Sequence, residues 1–69
     1  MEEDKQAVCD ALCKALQLTR DASDLIRIVY HRTEDMEYAE LKFQGSFRRR
    51  VNVTLDSGTA MIRDILRHI

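Results

Sequence analysis

The sequence predicts an α+β fold in two layers, ordered α-β-β-β-α, with two helices packed on one face of a three-stranded antiparallel sheet. Three observations lead there. Each end of the chain carries an apolar stripe at helical spacing, Cys9, Leu12, Cys13 and Leu16 near the start and Ile62, Ile65, Leu66 and Ile69 at the finish. Between them lie runs rich in β-branched and aromatic residues, of which two alternate in polarity along their length. Polar breaks at residues 19–24, 33–35 and 44–46 separate the runs with residues that open turns.

Residues 2–18 read as the first helix. Glu2, Glu3 and Asp4 suit the positive end of its dipole, and Val8, Ala11 and Ala15 border the apolar stripe, where small side chains let a helix lie close to a sheet. LIRIVYHR, residues 25–32, favours a strand by its β-branched and aromatic content, with a helix capped by Ser23 or Asp24 as the alternative. In residues 36–43, Ala39, Leu41 and Phe43 fall on one side and Tyr38, Glu40 and Lys42 on the other. Gln44, Gly45 and Ser46 form a hairpin loop in which Gly45 supplies a positive φ.

Pairing Phe43 with Phe47 across that loop sets Leu41 against Arg49, Ala39 against Val51, Glu40 against Arg50 and Tyr38 against Asn52. The register keeps apolar residues together and makes Glu40 and Arg50 a cross-strand ion pair. Arg49 falls on the apolar side, which places it near an edge or makes it snorkel past the helices. Residues 51–69, VNVTLDSGTAMIRDILRHI, then form the organising unit. Val51, Val53 and Leu55 share one face of a strand, Asp56 or Ser57 caps a turn, and a helix starting near Gly58 lays its stripe on the sheet with Met61 on the flank.

That last stretch, with its strand, DSG turn and AMIRDIL helix, resembles the tail of small uncharacterised proteins carried by bacteriophages and other bacterial mobile elements. Some chains of that size and origin are anti-CRISPR proteins, so the resemblance implies an inhibitor that binds a bacterial nuclease. The helix, three strands, helix order is also similar to the double-stranded RNA-binding domain. That family grips phosphate with a lysine-rich KKxAK-type motif at the start of its second helix, where this chain has Asp56, Ser57, Gly58, Thr59 and Ala60. Without those lysines RNA binding loses its main electrostatic contribution.

A chain of 69 residues makes one domain, residues 1–69, with one small core. A charged fraction of 33%, the lack of an apolar run long enough to span a bilayer and the acidic MEEDKQ start predict a cytoplasmic protein with no membrane partner. The formal net charge of −1 conceals a balance of −5 over residues 1–40 and +4 over residues 41–69. Such polarity steers partners without forming the broad basic surface of a dedicated nucleic-acid binder.

Enzymatic chemistry finds little footing. Cys9 and Cys13 lack basic neighbours at a convincing spacing, and Gly45 and Gly58 are isolated, so no glycine-rich phosphate loop exists. A zinc site could be assembled on paper from Cys9, Cys13, His31 and His68, but neither histidine shows a ligand spacing, and buried reduced thiols are the simpler reading. His68 is expected to pair with Asp64 in the last helical turn. No cofactor is predicted.

With both helices on one side, the other sheet face stays open. It would present Tyr38, Glu40, Lys42, Arg48, Arg50 and Asn52, joined by Arg27, Val29 and His31 if the first strand is in phase. Tyr38, Lys42, Arg48, Arg50 and Asn52 are the expected partner-binding residues of a non-enzymatic protein-binding module. Nucleic-acid binding by the same arginines is the competing expectation, and a homodimer through an exposed strand edge is the third.

Overall fold

The computed structural model describes residues 3–69 and has the order α1 Lys5–Gln17, β1 Leu25–Arg32, β2 Glu37–Phe43, β3 Phe47–Asn52 and α2 Gly58–Leu66. The strands form one antiparallel sheet in the order β1-β2-β3. Both helices lie on one side of it, in the two-layer arrangement expected. The part of the expected first helix at Glu2 lies outside the described residues. Leu25–Arg32 is a strand, as its β-branched content favours, and not the alternative helix.

The hairpin forms in the expected register, Phe43 opposite Phe47, Leu41 opposite Arg49, Ala39 opposite Val51, Glu40 opposite Arg50 and Tyr38 opposite Asn52. Gly45 takes φ +82° and Ser46 φ +66° to close the loop. β1 joins β2 with a bulge between Leu25 and Arg27, after which Ile28 faces Leu41 and Tyr30 faces Ala39. Side chains of Ile28, Leu41, Ala39 and Val51 thus share the inner face with Cys9, Cys13, Leu16, Met61 and Ile65 in one core. Full burial of Ile28 or Leu41 contributes about 2 kcal/mol each.

Two inner-face expectations are corrected. Leu55 does not continue the Val51 and Val53 face: the strand stops at Asn52, and Leu55 sits at φ +63° and is 92% exposed. The cause is local. Asn52 Oδ1 accepts from Thr54 N at 2.9 Å and Val53 O accepts from Asp56 N at 3.0 Å, which turns the chain out of the sheet. In α2 the buried face is Gly58, Met61 and Ile65, with Ile62 half-buried, whereas Leu66 and Ile69 are exposed. The helix is turned toward Met61 because its first residue packs against α1. Gly58 N donates to Glu3 Oε2 at 2.7 Å, and a Cβ on Gly58 would lie 2.0 Å from that oxygen and 3.7 Å from a Val8 methyl, so a larger residue would displace the Glu3 carboxylate.

The first helix is likewise rotated. Asp4 caps it by accepting from Ala7 N at 3.0 Å, and Cys9, Cys13 and Leu16 are buried with Val8 and Leu12 half-buried. Ala11 and Ala15, expected beside the sheet, are exposed. The opposite flank, Gln6 and Gln17, faces β1 instead. Gln6 donates to Ile28 O at 3.1 Å and accepts from Tyr30 N at 2.8 Å, while Gln17 donates to Leu25 O at 2.9 Å and to Ile26 O at 3.3 Å. These amides satisfy strand-edge groups that apolar alanines could not. Ser57 caps α2 by accepting from Ala60 N at 3.1 Å.

Candidate functional site

The open face is built by the register. Alternation sends Tyr38, Glu40 and Lys42 of β2 away from the core, and pairing places Arg48, Arg50 and Asn52 beside them on one flank and Arg27, Val29 and His31 on the other. Among the described residues, no helix or loop covers this face. All five residues expected to bind a partner, Tyr38, Lys42, Arg48, Arg50 and Asn52, are therefore brought onto one surface. Asn52 is partly committed already, since its side-chain oxygen holds the following turn.

Glu40 is the hub, with two partners beyond the Arg50 that the hairpin register predicts. Its residue is 8% exposed, and its carboxylate lies 3.8 Å from Lys42 Nζ, 3.9 Å from Arg50 Nε and 4.0 Å from His31 Nε2. The expected Glu40 to Arg50 pair is one of three. Tyr38 is sandwiched in the same cluster: the His31 ring stacks on it with centroids 4.7 Å apart and planes 15° apart, and the Arg50 guanidinium lies 5.0 Å from its centroid. The result is an aromatic and cationic patch in which His31, Tyr38, Lys42 and Arg50 gather around Glu40. His31 belongs to it through the pairing of His31 with Tyr38, a register that the bulge in β1 made hard to read from sequence.

Arg48 and Arg49 diverge. Arg48 stays on the open face, whereas Arg49, on the helix side, reaches past the sheet edge and donates through Nη1 to the backbone carbonyl of His68. Its charge thus meets a carbonyl just past the end of α2, close to the negative end of the helix dipole. His68 pairs locally, but its Nδ1 meets the Asp64 carbonyl at 2.9 Å, not the carboxylate. Arg63 and Arg67 lie 3.8 and 3.9 Å from that carboxylate.

A second polar cluster lies on the inner side, at the start of β2. Glu37, 8% exposed, is reached by Lys5 Nζ at 2.6 Å, by the Tyr30 hydroxyl and by Leu55 N at 2.9 Å. Its backbone exchanges bonds with Val53 and Thr54. Lys5 foremost, then Tyr30 and the Leu55 amide, hold the Glu37 carboxyl down at about 2. In return Glu37 raises Lys5, and burial followed by Glu37 raises Tyr30. These bonds make the cluster a structural clasp between α1, β1, β2 and the turn before α2. The alternation that puts Ala39, Leu41 and Phe43 inside places Glu37 there too. That was the signal available in the sequence.

Cys9 and Cys13 are free and buried in the core, while His31 lies on the opposite sheet face and His68 beyond the end of α2. Among the described residues, no group of three or more histidine, cysteine or acidic side chains is arranged to hold a metal ion. Burial pushes the Cys9 thiol up to about 11 and Cys13 in the same direction, which keeps both protonated near neutral pH. Compared with protein-family models, with curated proteins and with solved structures, the chain finds no match in any of the three. Among the described residues, no helix is long and apolar enough to cross a membrane.

Proposed function

We propose that this protein is a small non-enzymatic binding module of the cytoplasm that docks another protein through its open sheet face. One observation carries the reading: Tyr38 has the His31 ring and the Arg50 guanidinium against its own ring, and Arg50 and Lys42 both pair with the nearly buried carboxylate of Glu40. Aromatic and arginine side chains with restricted freedom are the kinds of residue that anchor protein interfaces. The concrete form of the proposal, following the resemblance of residues 51–69 to mobile-element proteins, is an inhibitor that seats this face on a bacterial defence nuclease.

Direct nucleic-acid binding is the second reading, favoured by the stacking ring of Tyr38 beside Arg48, Arg50 and Lys42. Against it stands Glu40, which draws Lys42 and Arg50 inward and places a negative charge where a phosphate would approach. The test is a pull-down from nuclease-treated bacterial lysate with the wild type, an Arg48→Glu/Arg50→Glu variant of the open face, and a Lys14→Glu/Arg20→Glu variant on the helix side. A protein held by the wild type and the helix-side variant but lost from the open-face variant supports the proposal. Capture that survives in all three overturns it. Affinity for unrelated DNA or RNA that falls steeply with salt assigns the face to phosphate instead.

A further inference from the structure

The two edges of the sheet are not alike. Val53 N donates to Glu37 O at 3.0 Å, so Glu37 and Val53 form a bonded pair, and by the alternation of antiparallel ladders so do Ala39 and Val51, Leu41 and Arg49, and Phe43 and Phe47. The main-chain N–H and C=O groups of Arg48 and Arg50 consequently point outward from β3. The same rule turns Ile28 and Tyr30 outward from β1, where Gln6 occupies Ile28 O and Tyr30 N and Gln17 occupies the strand's first carbonyls. One edge is thus closed by glutamine side chains. The other, among the described residues, receives no side-chain or loop hydrogen bond on Arg48 or Arg50, and both residues are exposed.

An unpaired edge invites another strand, and its flanking side chains state which kind. On the open-face side an incoming strand meets Arg48 and Arg50. On the helix side it meets Phe47, 72% exposed, and Ile69, 39% exposed, which border a hollow of about 340 Å³ lined also by Arg49, His68, Asp21 and Asp24, so that carboxylates of the incoming strand are favoured on the arginine side only. A second copy of this chain fits poorly, because antiparallel β3 to β3 pairing sets arginine opposite arginine, and like charges directly opposed are destabilising. We infer that the free edge of β3 takes an extended acidic segment of a protein partner as a fourth strand, with carboxylates toward Arg48 and Arg50 alternating with apolar residues toward Phe47 and Ile69. This inference rests on the open face being a protein-docking surface. It adds that main-chain pairing supplies affinity and the two arginines read acidity.

The probe is a capped synthetic peptide of about six residues alternating glutamate and valine, a common strand length. Titrated to about 1 mM into isotopically labelled protein, it should protect the Arg48 and Arg50 amides from hydrogen exchange by at least about tenfold, corresponding to about 1.4 kcal/mol. Arg50→Ala should weaken binding, and Arg50→Pro, which also removes the outward N–H, should abolish it while the amide spectrum stays folded, since proline is tolerated where the N–H faces outward from an edge strand. A probe N-methylated on its pairing amides leaves the protein untouched and should not bind. Unchanged exchange at Arg48 and Arg50 overturns the inference, as does equal binding of the N-methylated probe or of a probe with lysine in place of glutamate. Protection that grows with protein concentration and needs no peptide assigns the edge to a second copy. Shifts confined to His31, Tyr38 and Lys42 overturn the strand-addition inference and leave the open-face proposal standing, while loss of discrimination in the pull-down defeats that proposal itself.

Discussion

Lys5 Nζ stands 2.6 Å from Glu37 Oε1, and this pair joins the first turn of α1 to the start of β2. Glu37 also accepts from Tyr30 and Leu55, so a single carboxylate ties three otherwise separate segments together. A pKa lower in the folded state than in the unfolded one contributes stability that is complete above the ordinary value, 4.5, and is lost as pH falls through the folded value, about 2. Unfolding by urea at a series of pH values should therefore show stability falling across that window. Glu37→Gln should cost about 2 kcal/mol at neutral pH and flatten the fall. A Gln variant with unchanged neutral stability would show that the clasp contributes nothing.

Asp56 works in the opposite direction. Among the described residues its Oδ2 is buried without a hydrogen-bond partner, and Asp64, foremost, with burial behind it, raises its pKa. A carboxyl that binds its proton more readily when folded costs stability while ionised, and that cost disappears as pH falls through the raised pKa. Asp56→Asn keeps the shape, removes the like charge and offers a donor to Asp64. It should stabilise the fold at neutral pH by about 1 kcal/mol and abolish any gain in stability on mild acidification that precedes the loss from Glu37. A lowered melting temperature in this variant would contradict the assignment.

The thiols give a third test. With Cys9 raised from 9.0 to about 11, its thiolate fraction near neutral pH is lower by about a hundredfold, and burial adds steric exclusion. Thiol-reactive dye should label the native protein far more slowly than the urea-unfolded protein, with both cysteines reacting together once the core opens. Rapid native labelling of Cys9 would mean that the core is not closed around it.

How far the sequence could be read shows in particular residues. The hairpin register was legible because Gly45 fixes the loop and, Arg49 apart, the inner residues it pairs are apolar; a slip would turn Ala39, Leu41 and Val51 out of the core at once. The candidate face followed from that register without further information. Leu55 was not legible because the turn that takes it out of the sheet rests on local bonds of Asn52 and Val53 that alternation does not reveal, and the α2 stripe was not legible because its roll is set by a partner far away in the chain. Glu37 binds the Leu55 amide after the strand has turned out, and Glu3 and Val8 at Gly58 decide how α2 rolls. The glutamines that close the β1 edge look like ordinary surface residues until the strand lies beside them.

Glu40 offers a test of how the face chooses its partner. Nearly buried among His31, Lys42 and Arg50, it both places these groups and offsets their charge. Glu40→Gln should leave the fold within about 1 kcal/mol of the wild type while raising affinity for unrelated single-stranded DNA, with a steeper salt dependence. If DNA affinity does not change, the carboxylate is not what keeps phosphate from this surface.

The most direct measurement places a photo-crosslinking amino acid at one position at a time, at Lys42 and Arg48 on the open face and at Ala11, Lys14 and Ala15 on the exposed side of α1, in cells that express the protein. A docking surface on the sheet predicts a discrete protein adduct from Lys42 and Arg48 and none from the α1 positions. Adducts from α1 alone, or equally from both sides, would contradict the assignment of the open sheet face.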